Sequence, residues 1–162
     1  PAGRVIYNRQ PEQRELFFTN KIINKFEAKF EFDNFIIDDS NKVAYNTAIS
    51  ISKNIGNLFN PFILYGCKGA GKTHLVQSIA KYTKYAYPQI NLKYFEASFF
   101  KDLYLNALRK NSLIEFRERF RRADIFILEN IQELEGCYSV QEEFFTKKPF
   151  ISDFHGLNLF NF

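Results

Sequence analysis

The stretch Gly66-Cys67-Lys68-Gly69-Ala70-Gly71-Lys72-Thr73 fits the pattern G-x-x-x-x-G-K-[ST], and nothing else in the chain narrows its possible folds so far. Before it runs Phe62-Ile63-Leu64-Tyr65, short and apolar, which suits a buried parallel strand. After it the spacing predicts a helix from Lys72 to about Tyr85, ending near Pro88. Strand, glycine-rich loop and helix in that order form a phosphate cradle. Glycines let the backbone turn tightly and bring its N–H groups to phosphate oxygens, and the helix start adds its positive dipole end. Lys72 would reach the β- and γ-phosphates, and the Thr73 hydroxyl would complete the coordination of magnesium. The candidate nucleotide site is therefore Gly66, Gly69, Ala70, Gly71, Lys72, Thr73 and the adjoining His74. A plain glycine turn is the alternative, and the strand-to-helix setting argues against it.

Such a cradle needs an acidic residue on a neighbouring strand. Ile125-Phe126-Ile127-Leu128 followed by Glu129 supplies one, able to hold magnesium through water. An acid at a strand end for solubility is the plainer reading. The next residue is Asn130, which can orient water but cannot accept its proton. Glu129 and Asn130 are the candidate catalytic pair, Thr73 and Glu129 the candidate magnesium ligands. ATP with Mg2+ is the expected cofactor, bound with weak or absent hydrolysis.

The remaining pattern alternates strands and helices. Helices are predicted from Asp39 or Ser40 to Gly56, from Ser98 through Lys110, from Ser112 to Arg122 and from Ser139 to a stop at Pro149. Ser112 with Glu115, and Ser139 with Glu142, stand in capping-box register, and a break is expected near Asn111. Leu92 to Phe95 and Asp124 to Glu129 are the further strands. Repeated β-α units predict an α/β fold: a P-loop nucleotide-binding, three-layer sandwich with helices on both faces of a parallel sheet. Phenylalanine, at 20 copies, sits at helical or strand spacing and reads as core.

At 162 residues and 46% hydrophobic positions, one globular domain is expected. Cys67 and Cys137 lie far apart, without a disulfide framework, which suggests a reducing, cytoplasmic setting. No apolar signal core stands at the start, and no run approaches the roughly 18 apolar residues that a membrane span requires. His74 and His155 have no companions at metal-binding spacing, so no metal beyond nucleotide-borne magnesium is assigned. The net charge is +4. The window Arg109 to Arg122 carries six basic residues against Glu115 and Glu118, which is +4 by itself. It reads either as a solvated helix face or as a phosphate-contacting patch.

The segments FEFDNFIIDDSNKVAYNTAISIS, NPFILYGCKGAGKTHLVQSIA, SLIEFRERFRRADIFILENIQEL and SVQEEFF together resemble the AAA+ module of the DnaA family, the bacterial chromosomal replication initiators. The resemblance spans roughly Phe30 to Phe145. It implies a domain that binds ATP or ADP, assembles on neighbours at the replication origin and engages single-stranded DNA during unwinding. It also implies that Phe35, Ile36, Ile37 and Asn41 lie against the adenine. The two helices from Phe99 to Arg122 match the family's inserted helical pair, with Arg109, Lys110, Arg117 and Arg121 as candidate DNA contacts. The implied organisation is a linker or short helix over 1–29, a partial AAA+ domain over 30–148 and a divergent tail over 149–162.

Departures accompany the resemblance. Cys67 replaces the usual glycine, Asn130 the usual second aspartate, and Ser98 stands near where the family often places an acid. After QEEFF the family would continue to a fourth strand bearing sensor 1, an arginine finger, a helical lid and a duplex-DNA domain. Without the fourth strand, the middle of the sheet would go unpaired. KKPFISDFHGLNLFNF either supplies it, with PFISD entering as a strand, or is a truncated or out-of-frame ending with no selected structure; the second is the expectation carried forward. The expected function is a nucleotide-switched initiator module. The alternatives are a P-loop ATPase of another class, such as a helicase loader or nucleotide kinase, and a remnant that has lost function.

Overall fold

Three short apolar runs and the end of the chain assemble into one sheet. The computed structural model describes residues 30–55, 61–145 and 157–161. The linker or short helix over 1–29, the Gly56 stop, the PFISD segment with Pro149, and His155 lie outside the described residues. Strands β1 (Phe62–Leu64), β2 (Leu92–Glu96), β3 (Ile125–Glu129) and β4 (Leu157–Asn161) pair in the order β1-β4-β3-β2, every pairing parallel. All five residues of β3 are buried, as an inner strand covered on both faces requires.

The expectation of an ending with no selected structure is corrected for its last described residues. Leu157–Asn161 runs between β1 and β3, with Leu159 paired to both Phe62 and Ile127. The strand that fills the slot is Leu157–Asn161. An empty slot there would leave two facing rows of backbone N–H and C=O groups without partners, so an extended segment of matching length is strongly favoured. Parallel pairing also demands a crossover connection, which α5 (Tyr138–Phe145) begins to supply.

Helices cover both faces. α1 (Lys42–Lys53) and α2 (Lys72–Ala86) bury Ala48, Ile51, Leu75, Val76 and Ile79 against Leu64, Leu92, Tyr94, Ile125 and Ile127. α3 (Ala97–Arg109), α4 (Leu113–Arg121) and α5 bury Phe100, Phe116, Phe120 and Val140 against Phe95, Phe126 and Leu128. The alternation of odd and even strand residues between these two clusters is the period-two pleat made visible. Phe95, Phe100, Phe116, Phe120 and Phe126 are fully or almost fully buried, in keeping with the core reading of the phenylalanines. No described helix is long and apolar enough to cross a membrane.

Helix ends follow different chemistry from that expected at several points. α1 begins at Lys42 after a turn organised by Asp38, whose carboxylate accepts the Ser40 N–H and hydroxyl and the Asn41 N–H at 2.8, 2.6 and 3.1 Å. The Ser40 hydroxyl and amide hold that carboxyl below its ordinary range. Asp39 and Ser40 are therefore not the cap, because Asp38 binds the turn's amides first. α3 starts one residue before Ser98, whose N–H donates to Glu133 Oε2 at 3.2 Å. The break at Asn111 is present: Asn111 adopts φ 52°, its N–H reaches Leu108 O, and the Ser112 N–H reaches Ala107 O at 2.9 Å, the paired bonds of a Schellman stop. The Ser112–Glu115 capping box does not form; Ser112 Oγ instead donates back to Ala107 O at 3.4 Å.

Candidate nucleotide-binding site

Gly71 opens α2 with φ 84°, a left-handed value that side chains other than glycine's rarely adopt. A Cβ here would stand 2.8 Å from Phe35 Cε2. Phe35 has little room to yield, because it stacks on Tyr45 at 5.6 Å and meets His74 edge-on at 5.0 Å. Gly71→Ala is therefore expected to lose roughly 1–2 kcal/mol of stability from backbone strain and overpacking. Adding Phe35→Leu should recover the steric part alone. Thermal unfolding of the two variants checks this, and a Gly71→Ala protein as stable as the parent contradicts it.

Among the described residues no side chain caps α2 and no acid occupies its first turn, so its leading amides and positive dipole end face outward with nothing competing for an anion. Lys72 Nζ donates to Gly66 O and Cys67 O at 2.9 Å each, folding the loop around its own ammonium. A cavity of about 760 Å³, within the range of small-molecule sites, opens in front. Gly66, Gly69, Gly71, Lys72, Thr73 and His74 line it, with Asn130 from the far side. Lys68, at a variable position of the loop, lines it too, as do Phe30 and Gln132, which carry no signal in the spacing that would have singled them out. Ala70 lies within the loop without lining the cavity.

Asn130 holds φ 56°, a conformation asparagine tolerates better than most residues, and this turns the chain sharply out of β3. Just before it Glu129 is buried, 9% exposed, on the sheet face that packs against α2. Burial, and the Glu129 carboxylate beside it, push the hydroxyl of Tyr94 well above the ordinary tyrosine range. Thr73, in the first turn of α2, lines the cavity, whereas Glu129, on the sheet face beneath that helix, is not among its lining residues.

His74 does more than border the cavity. Its Nε2 lies 2.8 Å from Glu31 O and its ring stacks on Phe30 at 4.9 Å. A carbonyl only accepts, so Nε2 carries the proton. The contact ties segment 30–35 to the P-loop helix. Ile36 and Ile37 are 86% and 48% exposed and do not line the cavity. Asn41 is taken up by the preceding loop: its Nδ2 donates to Ile36 O at 3.0 Å and its Oδ1 accepts the Asp38 N–H at 2.9 Å.

The basic residues separate into two kinds. Arg109, Lys110 and Arg121 are exposed, the first two where α3 ends and the third at the far end of α4, roughly 13 Å along that helix. Arg117 is bound to Glu143 of α5 through two guanidinium nitrogens, Nη2 to Oε2 at 2.6 Å and Nε to Oε1. With the Glu143 side chain 8% exposed, this pair holds α4 to α5.

The family model for the bacterial DnaA ATPase domain matches residues 26–155. The chain is 35% identical over 134 residues to the chromosomal replication initiator protein DnaA of Borrelia duttonii, covering 83% of this chain and 27% of the relative. It is 32% identical over 121 residues to DnaA of Thermus thermophilus, covering 75% and 28%. The chain thus spans about a quarter of the length of these relatives. Among solved structures it is similar to domain III of Thermotoga maritima DnaA, with TM-score 0.73 and 31% identity over 83% of this chain and 56% of that one. It is also similar to a replication initiator DnaA bound to AMPPCP and single-stranded DNA, with TM-score 0.72 and 28% identity over 85% and 42%.

Proposed function

The chain belongs to the family of bacterial DnaA ATPase domains, and from that membership we propose that it binds ATP as a switch for assembly and DNA engagement at a replication origin, in the cytoplasm. The observation that carries the reading is the uncapped start of α2 beside Lys72, with buried Glu129 on the adjoining sheet face. In it the loop amides and Lys72 bind the β- and γ-phosphates. Bound Mg2+ would neutralise phosphate charge, held by the Thr73 hydroxyl and, through water, by Glu129. Exposed Ile36 and Ile37 supply apolar surface for the base, and Asn41 shapes the loop that carries them. Asn130 borders the cavity as an amide and takes no proton from water, which supports binding with slow turnover.

Equilibrium titration with ATP, with and without Mg2+, alongside a hydrolysis assay, tests this. Tight magnesium-dependent binding with little turnover is the expected result. Rapid turnover points to an ATPase of another class, and absence of binding to a remnant.

Single-stranded DNA is the proposed second partner, through Arg109, Lys110 and Arg121. Replacing all three by alanine is expected to weaken binding and to flatten the dependence of log K on log salt by up to about 2, at about 0.7 for each phosphate that the variant no longer neutralises. Arg117→Ala should instead lower thermal stability and leave that slope unchanged. An unaltered slope in the triple variant excludes this surface.

A further inference from the structure

Tyr94 is fully buried, yet its ring ends in a hydroxyl that has to be satisfied inside the protein. Its surroundings follow from the register. Tyr94 pairs with Ile127 and Glu96 with Glu129, so Glu129 is the diagonal neighbour of Tyr94, one pleat nearer the edge from which the loops emerge. Leu92, Tyr94, Ile125 and Ile127 share the face that packs on α2, and the alternation puts Glu129 on that face too. A tyrosine side chain is long enough to span such a diagonal, so the Glu129 carboxylate lies near enough to its hydroxyl to act on it as a charge. Glutamate has three side-chain torsions, so a carboxylate at this strand end needs something to choose its direction.

We propose that Tyr94 is a positioning residue for Glu129: its buried hydroxyl holds one carboxylate oxygen from within the sheet and turns the other toward the first turn of α2, where a nucleotide-bound divalent cation would sit. The inference rests on the reading of this loop as a magnesium–nucleotide site and names a residue that touches neither cation nor nucleotide. Tyr94 acts only through Glu129. Its aromatic ring fills the core independently of that role, which makes the two separable by removing a single oxygen.

The test compares ATP affinity in excess Mg2+ with affinity in excess chelator, for the unaltered chain, Tyr94→Phe, Glu129→Gln and the double variant. Tyr94→Phe is expected to keep the chelator affinity within about twofold and to lose about five- to tenfold of the affinity gained from Mg2+. Glu129→Gln should remove most of that gain, and Tyr94→Phe should add nothing further in its background. A full magnesium gain in Tyr94→Phe overturns the proposal, as does an equal loss with and without Mg2+, which is the mark of a merely structural role. If Glu129→Gln leaves the gain intact, or the unaltered chain shows none, the magnesium reading of Glu129 fails and takes this inference with it.

Discussion

Replacing Lys72 by alanine is expected to lower ATP affinity by about 100-fold or more. The ammonium now donates to the Gly66 and Cys67 carbonyls at 2.9 Å, so it sits inside the curve of the loop with its charge directed at the same space the phosphates would enter. A charge-assisted hydrogen bond contributes about 1.5–3 kcal/mol, and an ammonium placed between two phosphates would make at least two. Even the lower figure for both corresponds to about 3 kcal/mol, or roughly two orders of magnitude in affinity. The two carbonyls that accept from it now are exposed and can turn to water, so folding stability should change by less than about 1 kcal/mol. Isothermal titration with ATP and a thermal melt together decide the matter. An affinity within threefold of the parent means that the loop does not bind phosphate through Lys72.

The largest stability loss should come from Phe120→Ala. Phe120 is fully buried in α4, with ring centroids 4.6, 5.2, 5.6 and 5.8 Å from Phe116, Phe100, Phe95 and Phe126, so it joins two helices to two strands. Arg119 and Lys93 lie over the same ring at 5.5 and 5.4 Å. Truncating such a residue typically costs 3–5 kcal/mol, about half or more of the stability of an ordinary small domain. Ile114, in the same helix but 69% exposed, provides the comparison: Ile114→Ala should cost less than about 0.5 kcal/mol. Denaturant unfolding of both variants gives the contrast, and similar midpoints would mean that α4 is not anchored through its phenylalanines.

Elements written by local chemistry were readable in advance. The loop at Gly66–Thr73, helix α2, strand β3 with Glu129 at its end and the stop at Asn111 each depend on residues a few positions apart. Cap details were less so. Asp38 and Glu133 took donors that Ser40 and the start of α3 had been expected to satisfy otherwise, because competing side chains reach the same amides and only the folded geometry decides between them. Arg117 shows the limit most directly. Its charge and position matched a DNA contact, yet Glu143, 26 residues away, claims it. Phe30 and Gln132 border the cavity for the same reason, brought there by packing rather than by spacing.

The amino-acid sequence alone determined that this chain builds a phosphate-binding loop between a strand and a helix, and that a second apolar strand ends in an acid, because glycine placement, apolar period and helix polarity act over a single turn or strand. Tertiary structure decided what those parts face. It set Leu157–Asn161 between β1 and β3, turned Glu129 and Tyr94 to the same side as α2, and bound Arg117 to α5. Pairing partners, sheet order and ion pairs are contacts between distant segments, and backbone groups left open in the middle of a sheet select whichever extended segment can reach them.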